Sequence, residues 1–479
     1  METEKNVTKA EAPAKKKGMK FPNTWLIIAV MVGITAILSW VVPAGSYDYE
    51  KIDVNGTMRN VAIDGTYHTI DKAETKPTGF LGAFGALYDG CVSAADIVFV
   101  ILCCGGTFGV MVKTGAFHAG IGAVLRKVGK KAIIVVPILM VLFGLGGSMF
   151  GMLSEFYGFY PLIVGLGVAM GYDAMFGFAI LALGEYIGFM GATLNPYTVA
   201  IQQSVAGVKL YSGLPYRWIC FAVFMAASAA YLLRYGSKVA KDPTKSVVYG
   251  RECIHSFKVE DLNQYKLDWR AALVLVDLLV TLVVLMYGLI SKGWGYTQLC
   301  GLFIIMSIAA ALIMGWKVDD YVNTLVTGAR GVLWGALLTG LAKGIMVVMN
   351  NAQIIDTIIY GLSNLLRGAP QWLSAQLMLF VQTLINFPIS SGSGQAVVTM
   401  PIMAPLADAL GLTRQVACLA CQFGDGLSNL LWPTGGCVIV CGLADIPYEK
   451  WLKWFMPLCG ILYVLQMIML QIAVMFGFE

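Results

Sequence analysis

From Trp25 to Val42 the chain runs without a charged residue, and comparable uncharged apolar stretches recur along its length. Each approaches the ~20 residues that a helix needs to cross a hydrocarbon layer about 30 Å thick. The composition agrees, with 58% of 479 residues hydrophobic and 13% charged, where a soluble domain carries about 25% charged residues. So few charges cannot cover a water-exposed surface. The chain reads as an all-α polytopic membrane protein of the plasma membrane, with about 9–11 membrane elements.

Lysines and arginines set the orientation. Lys15, Lys16 and Lys17 lie in the tail before the first run, which places residues 1–22 in the cytoplasm and makes that run an uncleaved span. Residues 46–78 carry Asn55-Gly56 and Asp64-Gly65 among β-prone residues, the pattern of an extracellular β-hairpin. A span at about 95–112 then returns the chain to Lys113, Arg126, Lys127, Lys130 and Lys131, and the basic stretch 236–270 reads as a cytoplasmic linker. Following the crossings to the end puts the C-terminus outside.

Two half-length apolar runs, about 132–170, are parted by Gly146-Gly147-Ser148 and Gly151. Short runs joined by small residues read as a re-entrant hairpin. The next span, about 174–206, breaks at Gly191-Ala192-Thr193-Leu194-Asn195-Pro196, where proline lacks a backbone donor and disfavours helix before it. After a bridging span at 271–292 comes a span at about 332–349 and then the same order. A hairpin at 372–410 turns at Pro388 to Gly394, and a span at 415–442 breaks near Ser428-Asn429 and Pro433-Thr434-Gly435-Gly436. One offset of 240 lays Pro161 on Pro401, Gly171 on Gly411, Gly184 on Gly424 and Glu185 on Asp425. Glycine and proline constrain backbone specifically, so these matches predict two structural repeats, 23–235 and 297–479. A single bridging span between them inverts the second, a design used by transporters.

Ionisable groups within spans are costly and mark function. Glu155, Glu185 and Asp425 fall at or beside the breaks, and Lys343 lies deep in a span as a counter-ion or a direct ligand. Three acids against one base favour a cationic passenger, either an ion or an amino-bearing substrate. Ser148, Thr193 and Asn195 in the first half, and Ser390, Ser391, Ser393, Gln395, Ser428, Asn429 and Thr434 in the second, supply uncharged ligands at membrane depth. The Cys418/Cys421 pair has no second pair beside it, so no metal site is expected. His68, His118 and His255 fall in loops or at the surface, no nucleophile-base pair sits in a span, and an enzyme is not expected. The formal charge of +5 calls for no nucleic-acid partner.

Asn386-Phe387-Pro388 with Ser390 to Gln395, Met400-Pro401-Ile402-Met403-Ala404-Pro405, Gln422 to Asn429, and Gly191 to Pro196 together strongly resemble the YfcC-like family, related to the C4-dicarboxylate anaerobic carriers. The resemblance runs from about residue 22 to the end. It implies a secondary transporter with two opposed re-entrant hairpins, a scaffold part, a moving transport part, a homodimeric assembly and an elevator-type displacement. It also implies ions and substrate between each hairpin tip and the facing unwound segment: Ser148 to Glu155 with Thr193 and Asn195, and Ser390 to Gln395 with Ser428 and Asn429. Family members are described as dicarboxylate carriers or as basic amino-acid antiporters, so two readings stand. In the first, a small amino acid of the arginine or ornithine type is exchanged and the acids meet the substrate. In the second, a C4-dicarboxylate or other organic anion is carried with Na⁺ or H⁺, the acids hold the coupling ion and hairpin amides bind carboxylates. Glu155, opposite Gln395 in the repeat, is the candidate for choosing charge. Apart from Na⁺ or H⁺ no cofactor is expected.

Overall fold

The computed structural model describes residues 24–54, 57–128, 133–251, 267–292, 294–364, 366 and 370–479. The basic tail 1–22, the Asn55-Gly56 pair, Lys130, Lys131, His255 and residues 252–266 of the linker lie outside the described residues. The chain is mostly helical. Among the described residues, five helices are long and apolar enough to cross a membrane: Ala95–Lys113, Leu214–Lys241, Tyr296–Met314, Val318–Asn351 and Tyr448–Met475. Shorter apolar helices at Trp25–Val41, Val135–Phe150, Ala174–Met190 and Leu373–Ile385 accompany them. This is a multi-pass membrane protein.

After α1 (Thr24–Val41) the chain forms a small β cap. Strand β2 (Tyr49–Val54) pairs antiparallel with β3 (Thr57–Ala62), Tyr49 opposite Ala62, and β1 (Ala44–Ser46) pairs with β4 (His68–Ile70) below them. Then come α2 (Phe80–Ser93), α3 (Ala95–Lys113) and the short α4 (Ala116–Val128). Two segments around an irregular turn follow, α5 (Val135–Leu145) and α6 (Tyr160–Ala169), then α7 (Ala174–Met190), α8 (Val199–Val205) and α9 (Leu214–Lys241). Beyond α10 (Trp269–Lys292), α11 (Tyr296–Met314) and α12 (Val318–Asn351), a similar order returns. It comprises α13 (Ile355–Asn364), α14 (Gln371–Ile385), α15 (Gly392–Ala409), α16 (Arg414–Ser428), α17 (Gly436–Leu443) and α18 (Tyr448–Met475).

Helices α7 and α16 are buried along almost their whole lengths, as expected of helices that form a core rather than face lipid. Their starts are fixed alike. Asp173 caps α7 by accepting from Phe176 N, and Thr413 caps α16 by accepting from Val416 N. Helices α5, α6 and α9 surround α7, helices α14, α15 and α18 surround α16, and the two cores meet where Gly426 lies against Met190. A second group centres on α12, which packs along α1, α2 and α3. Small residues permit that approach, with Gly109 against Gly328 and Gly90 against the backbone of Gly340 and Gly344.

Two expectations from sequence need correction, and one further helix was not anticipated. Residues 80–93 are helical, although Gly82, Gly85 and Gly90 interrupt the apolar pattern, because Gly90 gives α2 its close seat on α12. The span expected at 332–349 belongs to the 34-residue α12, which begins at Val318. Asp319 and Asp320 in its first turn suit a helix N-terminus and do not end the segment. His118 is buried in α4, not placed at the surface.

Candidate functional site

The turn between α5 and α6 passes through Gly151, whose φ of +67° lies in the left-handed region that favours glycine. Before it, Gly147 presses on α7 so closely that a β-carbon would lie 3.0 Å from Phe189 N. That closeness lets the turn bond to the break after α7. Ser148 Oγ donates to Gly191 O at 3.1 Å and lies 3.1 Å from Thr193 Oγ1, while Ser148 O accepts from Thr193 N at 3.0 Å. Asn195 Nδ2 donates to Gly147 O at 3.4 Å, and its Oδ1 accepts from Tyr197 N at 2.9 Å. Ser148, Thr193 and Asn195 are therefore brought together as expected, but they are fully buried and bonded largely to one another and to nearby backbone.

The turn between α14 and α15 runs through Pro388 to Ser391, and Ser391 caps α15 by accepting from Gly394 N. Behind the turn, Asp425 Oδ1 accepts from Asn386 Nδ2 at 2.6 Å and Asn429 Nδ2 at 3.2 Å. Gln395 accepts from Asn386 at 3.2 Å and donates to Gln382 Oε1 at 2.6 Å. Ser428 Oγ donates to Gly424 O at 2.5 Å. Three oxygens in this region have no hydrogen-bond partner among the described residues: Asp425 Oδ2, Asn386 Oδ1 and Thr198 Oγ1. Gly392 is pressed into the same place, since a β-carbon on it would meet both Asp425 Oδ2 and Thr198 Cγ2 at 2.6 Å.

Between the tips and α12 lies a cavity of about 340 Å³. Ser154, Tyr157 and Tyr197 line it from the first half, Ser390, Ser391, Ser393, Asn429 and Thr434 from the second, and Thr339 and Lys343 from α12. The N-terminal ends of α15 and α17, at Gly392 and Gly436, also border it. Lys343 is the charged residue among its described lining residues. An adjoining cavity of about 270 Å³ shares Gly151, Ser154, Tyr197 and Tyr296 with the first and adds Glu155, Trp294 and Leu299. Glu155 is the charged residue there, with Oε2 accepting from Leu153 N at 3.0 Å and Ser154 Oγ at 3.3 Å.

The remaining acids lie elsewhere. Glu185 is fully buried, accepts a 2.6 Å hydrogen bond from Tyr160 OH, and lines neither cavity. Asp425 is equally buried behind the second tip. Lys343 forms no ion pair with these acids or any other among the described residues, so its counter-ion role is not what the geometry displays. Thr198, Gln382, Asn386 and Tyr160 enter the site without having been singled out. Asn386 stood inside a quoted motif, whereas Tyr160 and Thr198 look like ordinary span residues until the tips fold against them. Arg217 and Asp277 are further charges within helices that were not singled out. Arg217 reads as a flanking charge yet is 1% exposed, with Nη2 3.3 Å from Gln415 Oε1, and Asp277 hides inside the bridging span. No group of His, Cys, Asp or Glu among the described residues could hold a metal.

A model of the C4-dicarboxylate anaerobic carrier family, DcuC, matches residues 21–475. The Escherichia coli (strain K12) protein named "Putative basic amino acid antiporter YfcC" is 30% identical, the match covering 96% of this chain and 97% of that protein. An uncharacterized protein of Haemophilus influenzae is 28% identical, with 97% and 99% covered. Among solved structures, the YdaH transporter of Alcanivorax borkumensis is 15% identical, with 95% of this chain and 99% of that chain covered and a TM-score of 0.42.

Proposed function

From the premise that the chain belongs to the C4-dicarboxylate anaerobic carrier family, we propose that this membrane transporter exchanges a small basic amino acid across the plasma membrane. The observation that carries the reading is the pair of adjoining cavities, one bearing Lys343 and the other Glu155. A zwitterion with a cationic side chain fits that polarity. Its carboxylate faces the Lys343 ammonium, the serine hydroxyls and the positive ends of α15 and α17. Its cationic end faces Glu155, where the rings of Tyr197, Trp294 and Tyr296 line the wall and favour a cation. The name of the Escherichia coli relative is consistent with this assignment.

The sequence reading gave the three acids to the substrate in one alternative and to the coupling ion in the other; the geometry favours dividing them. Asp425 Oδ2, Asn386 Oδ1 and Thr198 Oγ1 form an oxygen set suited to a coupling Na⁺, and Glu185 with Tyr160 suits a coupling H⁺. In this reading the repeats are inverted and the paired segments are re-entrant. The α12 group is the scaffold of a homodimer, and the α7 and α16 cores with their hairpins move past it in elevator fashion. The dense packing of α12 on α2 and α3, and of α14 and α15 on α16, supports that division.

The rival, a Na⁺- or H⁺-coupled C4-dicarboxylate carrier, draws on Lys343 and the two helix ends, which are anion chemistry. Counterflow in proteoliposomes loaded with arginine, ornithine, leucine or succinate, with and without Na⁺, separates the readings. Uptake of labelled arginine only into arginine- or ornithine-loaded vesicles is the expected result. Uptake of labelled succinate into succinate-loaded vesicles alone would transfer the case to the rival.

A further inference from the structure

The charge and the hydroxyls of the central cavity belong to different packing groups. Lys343 is part of α12, whose neighbours are α1, α2 and α3, whereas Ser390, Ser391, Ser393 and Asn429 ride on the α16 core. Helix α12 meets that second group mainly through α17, where Gly335 lies against Gly442. The absence of side chains at that contact lets the two backbones approach closely. Within its own group, Lys343 is held loosely. Among the described residues its Nζ has one hydrogen bond, 3.9 Å to Met346 Sδ on the same helix. The carboxylate whose field reaches it is Asp96, exposed at the start of α3, and the two form no ion pair. The ammonium is thus fixed with the α12 group and unclaimed by a carboxylate on the hairpin side.

We propose that Lys343 is a specificity-determining residue that binds the substrate carboxylate from the scaffold side of the cavity, and so in only one of the two access states. The inference rests on the transport reading above and adds to it a directional asymmetry. When the hairpins and their cargo move relative to α12, contacts to Ser390, Ser391, Ser393 and Asn429 travel with the substrate. The contact to Lys343 is left behind. A ligand that binds one state more tightly shifts the population toward that state in proportion to its differential affinity. Substrate affinity is therefore higher on the face where the cavity meets Lys343. The same charge repels an amine that lacks a carboxylate, so agmatine, which is arginine without its carboxylate, is discriminated against on that face.

The test uses the full-length protein in proteoliposomes, with arginine KM measured separately from each face and agmatine as competitor. Lys343→Met is expected to raise arginine KM about tenfold on one face and to leave the other within about twofold, the scale of one charge-assisted hydrogen bond. Agmatine is expected to become a competitor on the affected face, and Lys343→Arg to restore the wild-type pattern. Should Lys343→Met fail to insert, Lys343→Gln carries the same measurement. Equal loss on both faces would overturn the proposal, as would an unchanged KM with agmatine still excluded. If wild-type protein exchanges succinate and not arginine, a one-sided succinate KM change in the variant keeps Lys343 in this role and sinks only the amino-acid reading.

Discussion

The phenol of Tyr160 donates a 2.6 Å hydrogen bond to Glu185 Oε1, and both side chains are fully buried. The second carboxylate oxygen has no hydrogen-bond partner among the described residues. Burying a carboxyl group so far from water is tolerated only where its charge can be neutralised or where a cation visits it. Glu185→Gln keeps the acceptor for Tyr160 and removes the titratable proton. It is expected to fold with a thermal midpoint within about 3 °C of wild type, to retain counterflow, and to lose uptake driven by a pH gradient. Unchanged pH-driven uptake in that variant would make Glu185 a structural residue.

Asp425 offers a sharper case because one of its oxygens is fully engaged and the other is not. Oδ1 holds Asn386 and Asn429, while Oδ2 faces Gly392 and Thr198. Asp425→Asn can keep the first role and loses the charge needed for the second. Ion-driven transport is expected to fall at least about 100-fold, the scale of losing a ligand charge in a low-dielectric site, with insertion and thermal midpoint preserved. Gly392→Ala approaches the same place from the hairpin side, since its added carbon would lie 2.6 Å from Asp425 Oδ2. A matching loss of ion dependence in both variants, measured as flux against Na⁺ concentration, ties them to one site.

Glu155 is expected to set the charge of the passenger. With its carboxylate in a cavity bordered by Tyr197, Trp294 and Tyr296, Glu155→Gln removes the attraction for a guanidinium or ammonium while keeping size and hydrogen bonding. Competition of labelled arginine uptake by arginine, ornithine and leucine should shift toward leucine by about tenfold or more. Wild-type preference in the variant would return the choice of charge to another residue.

These sites were unequally legible. The breaks near Asn195-Pro196 and Pro433 announce themselves because proline and glycine act on the backbone wherever they stand. The matching caps at Asp173 and Thr413 are as local, and Asn386 lay in a motif already marked. The division of charge was not legible. Hydropathy places Glu155, Glu185, Asp425 and Lys343 at membrane depth alike, but which face a cavity depends on how the two tips meet α12, a contact between segments distant in the chain. Arg217 escaped for a related reason. A charge at the start of an apolar run looks like a flank, and only the folded structure shows it buried with its guanidinium beside Gln415 of α16.

The β cap yields a prediction outside the spans. Asp356 on α13 accepts from Tyr47 N at 3.1 Å and from Tyr49 OH at 2.9 Å, and Tyr67 stacks on Tyr360 at 4.1 Å, so the cap is anchored to the segment after α12. From this anchor, β3 reaches across to pack on α15. Burial, and then the neighbouring Asp356 carboxylate, raise the Tyr49 phenol above its ordinary value. A raised acid contributes stability that is complete below the unfolded phenol value of about 10 and disappears as pH climbs through the folded one. The anchor should therefore hold throughout the neutral range and weaken only in strong alkali. Asp356→Ala removes the acceptor at every pH, loosening the cap by about 1–3 kcal/mol. Limited proteolysis of the intact protein should then cut within residues 46–70 at neutral pH, where the wild type resists, and wild-type resistance in the variant would show that the aromatic stack alone holds the cap.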